Sequence, residues 1–248
     1  MQASAVSFSI AAHAAWSPAA TTAQAWQAWA LAPTPLGEGA DPAVRQMPAM
    51  LRRRAGFLGK MALEAAYACL GEQRDVPCVF VSRHGEVARA VDLLGELARN
   101  TPISPTGFGL AVHNASAGLF SIARADRANH IALAAGESST EHAVIEACAL
   151  LADGAPAVLL VVYDCPLPPV FAGFADTPEQ PHAFAWLMTA AQGEAIELAW
   201  EAAHGAAPLA GPDGLSPGLE VLRFFAGGAA ALERVAGPRR WTWSRRHA

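Results

Sequence analysis

Residues able to attack a substrate are scarce in this chain of 248 residues, although the place to look for one is plain. Residues 131–140, IALAAGESST, read as a strand that runs into a turn and opens a helix, the kind of junction on which α/β hydrolases expose a nucleophile. Gly136-Glu137-Ser138 begins the Gly-x-Ser-x-Gly pattern of a serine hydrolase, but Thr140 stands where the last glycine belongs. Ser138 with Glu141 three residues on also fits a capping box, in which the serine caps the helix and the glutamate reaches back. That gives Ser138 a role without chemistry. The cysteines stand at 69, 78, 148 and 165; none is expected at a helix start, where a thiol would ionise most readily. Glu137 and Asp164 could meet as paired carboxylates, although Asp164 reads more simply as a cap at a strand end. His113-Asn114 lies among small residues, either as a base or as a hydrogen-bonded interface or core residue. No Cys/His spacing suits zinc and no glycine-rich phosphate loop occurs, so neither metal nor cofactor is expected.

The elements that must position these residues alternate between strands and helices. Residues 5–11 alternate like a strand, and 21–31 read as a short helix with Trp26 and Trp29 on one face. A Pro/Gly-rich loop, 32–42, precedes a long helical pattern over 45–70 that Gly71 would end. Residues 76–82 form a short buried strand. Residues 86–100 form an amphipathic helix whose Val87, Val91, Leu94 and Leu97 are expected to face the core. After a loop at 101–107, residues 108–125 read as a helix rich in small side chains. The strand at 131–135 leads into a helix ended by Gly154, and 155–164 is the most apolar strand. Further strands are expected at 182–191, 195–200 and 241–243, with a helix over 215–235. Mixed strands and helices favour a layered α/β sandwich over a bundle.

Composition sets the outer limits. The share of hydrophobic residues is 53% and of charged residues 16%, enough apolar material for a large core and unlike a disordered chain. A net charge of −5 without a basic stripe argues against nucleic acid as a partner. Arg52-Arg53-Arg54 is the densest basic run, either a solvated helix face or a contact for an acidic partner. No Lys or Arg precedes Arg45, so a signal peptide's basic segment is missing, and no run is long and apolar enough for a membrane span. With cysteines in apolar runs, a reduced, cytoplasmic protein is expected.

Several segments together resemble one family. They are MPAMLRRRAGFLGKMALEAAYACL (47–70), VFVSRHGE (79–86), LARNTPISPTGFGLAVHNASAGLFSI (97–122), ALAAGESSTEHAVIEACALL (132–151) and VLLVVYDCPLP (158–168), closed by LEVLRFFAGG and RRWTWSRR. In order and spacing they are similar to the N-terminal half of a β-ketoacyl synthase. The resemblance is to the short, divergent kind associated with aryl-polyene and related type II fatty-acid or polyketide synthesis. It implies a thiolase-like layered α/β sandwich, with residues 1–248 forming one domain of about half a full ketosynthase.

In that family a cysteine occupies a Thr-Ala-Cys-Ser-Ser-like motif on the strand-to-helix elbow, and two histidines from the second half complete the site. Here Ala135 or Gly136 falls on the cysteine position, and His204 and His247 sit in nothing like the histidine motifs. The resemblance therefore implies a non-catalytic chain-length factor. Such a subunit pairs with an active β-ketoacyl synthase as a heterodimer, lines part of the acyl tunnel and works on chains tethered to an acyl carrier protein. It places Phe108, His113, Asn114, Ala117 and Gly118 near the tunnel and interface, with Phe108 as the bulky tunnel residue and Ala115, Ala117 and Gly118 allowing close packing. Arg52, Arg53 and Arg54 become candidates for the carrier-protein contact. Two other readings stand beside it: an acyltransferase or thioesterase using Ser138 or Ser139 with His113 or His142, and a scaffold that binds acyl carrier protein.

Overall fold

A computed structural model describes residues 4–203 and 214–246. His204 and His247 lie outside the described residues. The strands are β1 (Ser4–Trp16), β2 (Cys78–Val81), β3 (His130–Leu133), β4 (Val158–Asp164), β5 (His182–Ala190), β6 (Ala195–Ala202), β7 (Ala231–Ala236) and β8 (Arg239–Arg246). The helices are α1 (Ala23–Leu31), α2 (Ala49–Arg52), α3 (Phe57–Leu70), α4 (Val87–Ala98), α5 (Pro105–Gly109), α6 (Ala115–Arg124), α7 (Ser139–Ala152) and α8 (Pro217–Ala226). All eight strands join one sheet in the order β3-β2-β4-β5-β1-β6-β8-β7. The β3-β2-β4 end is parallel and every other pairing is antiparallel.

Two apolar layers sandwich this sheet, which is why β4 is apolar without alternation. Leu159, Val161 and Tyr163 pack toward α3 and α6 with Phe80, Phe120 and Tyr67. Val158, Leu160 and Val162 pack on the other face with Trp186, Trp241 and Trp243, against α1, α7 and α8. The chain leaves β2 toward α6 on the first face and leaves β3 toward α7 on the second. The carboxyl ends of β2 and β4 thus flank a topological switch point, where open α/β sheets place their sites.

Three helical expectations need correction. The pattern over 45–70 is two helices, because Arg53 closes α2 and extended Gly56 starts α3. The pattern over 108–125 is broken as well. α5 starts earlier, capped by Ser104 with Pro105 in its first turn, and α6 begins only at Ala115. The helix over 215–235 stops at Ala226, and Gly227-Gly228 leads into β7, which pairs with β8.

Candidate functional site

The elbow after β3 has the expected shape. Gly136 takes a left-handed φ of +57° and opens a single 3-10 turn, Gly136–Ser138, before α7. A Cβ at Gly136 would meet open space, so backbone conformation rather than crowding calls for glycine here. Ser139 holds the turn: its Oγ accepts from the Ala135 N–H at 2.9 Å and donates to the Gly136 carbonyl at 2.7 Å. The capping box does not form. Ser138 stands at the helix start without a side-chain cap bond, and its buried Oγ accepts from Trp241 Nε1 at 3.1 Å. Glu141 is fully buried and faces Arg234, which also binds Glu220 Oε2 at 2.5 Å and the Glu137 carbonyl at 3.3 Å. The elbow is therefore braced by side chains from β7 and β8, about a hundred residues along the chain, and this bracing has no local sequence signal.

No nucleophile is assembled there. His142 turns Nδ1 to the Ser138 carbonyl at 2.9 Å rather than to a hydroxyl, and Arg239 Nη1 meets its Nε2 at 3.0 Å. Both ring nitrogens are engaged away from Ser138 Oγ. The cysteines are no better placed. Cys69 and Cys78 donate to the carbonyls of Ala12 and Val76, and burial pushes the thiols of Cys69, Cys78 and Cys148 up to about 12. Cys165 is raised too, by burial and then by Asp164, Glu179 and Glu86. Each of these thiols stays protonated at neutral pH. Among the described residues no group of His, Cys, Asp or Glu could hold a metal ion.

The remaining candidates build the loop after β2. Asp164 accepts from Ser82 Oγ at 2.8 Å and from the Arg83 N–H at 2.9 Å, as a strand-end cap should. Burial raises its carboxyl well above the ordinary value, with Glu179 adding to the effect. Arg83 ties down the segment before β5 through Asp176 at 2.6 Å and Glu179 at 2.8 Å. His113 Nε2 meets the Ser82 carbonyl at 2.8 Å, and its ring covers Gly85, whose φ is +57°. A Cβ at Gly85 would lie 2.6 Å from the His113 ring. His113 therefore packs and pins this turn. Asn114 is exposed at the start of α6, Ala115 and Ala117 are buried in the chain's own core, and Gly118 has open space beside it. Phe108 is 65% exposed. Arg53 and Arg54 are exposed, while Arg52 is half-buried and reaches the Val44 carbonyl at 3.4 Å.

A cleft of about 520 Å³, which sequence reading missed, opens at the carboxyl ends of β2 and β4 beneath α4 and α5. Its walls include Phe57, His84, Glu86, Arg89, Asp92 and Glu96. Burial raises the Glu86 carboxyl despite Arg89 nearby, and burial followed by Arg83 lowers His84. Phe57, Leu58, Val87, Ala88, Leu93 and Pro166 make most of the remaining wall apolar, so these charged groups are set into a largely apolar cleft.

Comparison with known proteins bears on the fold. Residues 26–244 match the family described as β-ketoacyl synthase, N-terminal domain. No curated protein matches the chain. Among solved structures it is similar to a chain of the ketosynthase ApeO in complex with its chain length factor ApeC from Xenorhabdus doucetiae. The identity is 26% and the TM-score 0.81, over 97% of this chain and 100% of that one. The ishigamide ketosynthase/chain length factor matches at 16% identity and TM-score 0.65, over 79% of this chain and 68% of that one. A β-ketoacyl synthase from Burkholderia phymatum matches at 14% identity and TM-score 0.61, over 90% of this chain and 71% of that one. The fold is thus the thiolase-like α/β fold of ketosynthases. Among the described residues no helix is long and apolar enough to cross a membrane.

Proposed function

Because this chain belongs to the β-ketoacyl synthase N-terminal-domain family, we propose that it is a non-catalytic, chain-length-factor-like subunit of a type II ketosynthase. It pairs with an active β-ketoacyl synthase in the cytoplasm and shapes the tunnel for an acyl, aryl-polyene or polyketide chain carried by an acyl carrier protein. The observation that carries this reading is the elbow itself. Strand, turn and helix are kept, but Ala135 and Gly136 offer no attacking atom, and the neighbouring hydroxyls of Ser138 and Ser139 are engaged. The match in length supports it: a chain about as short as this one, taken from a ketosynthase–chain length factor complex, aligns in full.

The surface next to the elbow suits a partner. Among the described residues β3 ends the sheet with one edge unpaired, and an open edge invites another chain. Phe108, Val112 and Ile122, on the segment before β3, are 65%, 43% and 65% exposed. In this reading Phe108 lines the tunnel at the joint with the partner, His113 and Asn114 shape the turn beside it, and Gly118 gives close approach. Ala115 and Ala117 support it from the core. Arg53 and Arg54, with Arg52 behind them, meet the acidic carrier protein. The test is co-expression with a full-length ketosynthase from the same gene neighbourhood. A mixed one-to-one dimer is expected, and separate purification with unchanged product would refute the pairing.

A further inference from the structure

α4 is amphipathic in the wrong sense for a helix that packs on its own chain. Residues advance about 100° per step around a helix, so Arg89, Asp92, Leu93 and Glu96 share one side, and Val91, Leu94 and Leu97 lie on the other. The structure sets the first side along the cleft, with Arg89, Leu93 and Glu96 half-buried and Asp92 exposed. Leu94 and Leu97 consequently stand 58% and 59% exposed, and α4 contains no buried residue. Of Val87, Val91, Leu94 and Leu97, expected to face the core, the two leucines are exposed and the two valines half-buried. Only Val87 lines the cleft. A helix with no buried residue and two leucines exposed is completed from outside.

α4 packs on α5, and α6 packs on β3. The exposed leucines therefore stand on the element that packs against the one carrying Phe108, and Ile122 stands on the element that packs on β3. That link to the surface proposed for the partner, and the similarity to a chain from a ketosynthase–chain length factor complex, select the occupant. We infer that the outer face of α4 is a docking surface for the active ketosynthase subunit, with α4 and α5 forming an arm that the partner clamps over the cleft. This rests on the pairing proposed above.

Hydrogen exchange of the full chain, alone and with the co-expressed ketosynthase, tests it. In the free chain the α4 amides exchange fast, because no buried side chain anchors the helix; in the complex they slow together with β3. Each leucine is a little over half exposed and adds about tenfold in affinity, so Leu94→Lys with Leu97→Lys weakens the complex by at least about a hundredfold. Both side chains project from the free chain, and its melting temperature is expected to stay unchanged. Leu31→Lys, at a residue 77% exposed at the end of α1, serves as the control and leaves binding intact. If the wild-type complex forms while α4 stays unprotected, or the double variant binds normally, the inference about α4 is overturned and the pairing stands. Slow exchange of α4 in the chain alone that vanishes on dilution would assign the surface to a second copy and overturn it too. If no wild-type complex forms, the pairing itself fails and the docking surface with it.

Discussion

Glu141→Gln distinguishes a local helix cap from a buried ionic brace. In a capping box, glutamine serves nearly as well as glutamate, and the change costs little. In the structure Glu141 has no exposed surface and its Oε1 takes both the Arg234 guanidinium and Trp243 Nε1, the latter at 3.4 Å. Arg234 is itself 5% exposed and links α7, α8 and the Glu137 carbonyl. Glutamine weakens the Arg234 contact to a neutral acceptor while the ion pair with Glu220 remains, at a cost of about 2 kcal/mol. For a chain of this length that lowers Tm by about 4–8 °C. Urea unfolding followed by tryptophan fluorescence gives the free energy, and calorimetry gives the shift. Replacing the group together, with Glu141→Met, Arg234→Met and Glu220→Leu, is expected to recover most of the loss, because a well-packed apolar substitute removes the desolvation cost. A loss below about 1 kcal/mol for Glu141→Gln would refute the brace.

Gly85→Ala forces a side chain into left-handed backbone and against the His113 ring; it is expected to cost at least about 2 kcal/mol, and an unchanged urea midpoint would contradict the packing role of His113. His182 is fully buried and burial lowers its pKa. The unfolded chain binds a proton below about pH 6.5 that the native state resists, so stability is full above that pH and falls as pH drops. Melting curves between about pH 7.5 and 5.5 are expected to slope less for His182→Gln than for wild type, with His13 and His84, lowered in the same direction, leaving a residual slope; identical slopes would exclude His182 as a source. Charge reversal at Arg53 and Arg54 is expected to weaken acyl carrier protein binding to the complex about tenfold, measured by calorimetric titration, and unchanged affinity would remove this patch from the carrier contact.

The order of elements along the core was legible because it is local. The run VLLVVYD reads as a strand with both faces covered, and β4 is buried throughout. IALAAGESST reads as strand, turn and helix, and Gly136 does take positive φ there. Helix breaks were under-read although their signals were present. Ser104-Pro105 is a helix start, and Gly227-Gly228 ends α8 with positive φ at Gly228. The bracing of the elbow was not legible, since Glu141 fits a capping box by spacing and its real partner lies on β7. The direction of α4 was not legible either. Periodicity identifies an apolar face but cannot say whether that face meets its own chain, and Leu94 and Leu97 point away from it. Asp164 and His113, by contrast, are the structural residues that their surroundings suggested.

The role assigned to the elbow is tested most directly by finding which subunit becomes acylated. The complex of this chain with its ketosynthase is charged with acyl carrier protein bearing a thioester, quenched, and each subunit weighed by intact mass spectrometry. Acyl adduct is expected on the partner's cysteine alone, with none on this chain and no change after Ser138→Ala and Ser139→Ala. Stoichiometric acylation of this chain, lost in those serine variants or in a cysteine variant, would contradict a non-catalytic elbow.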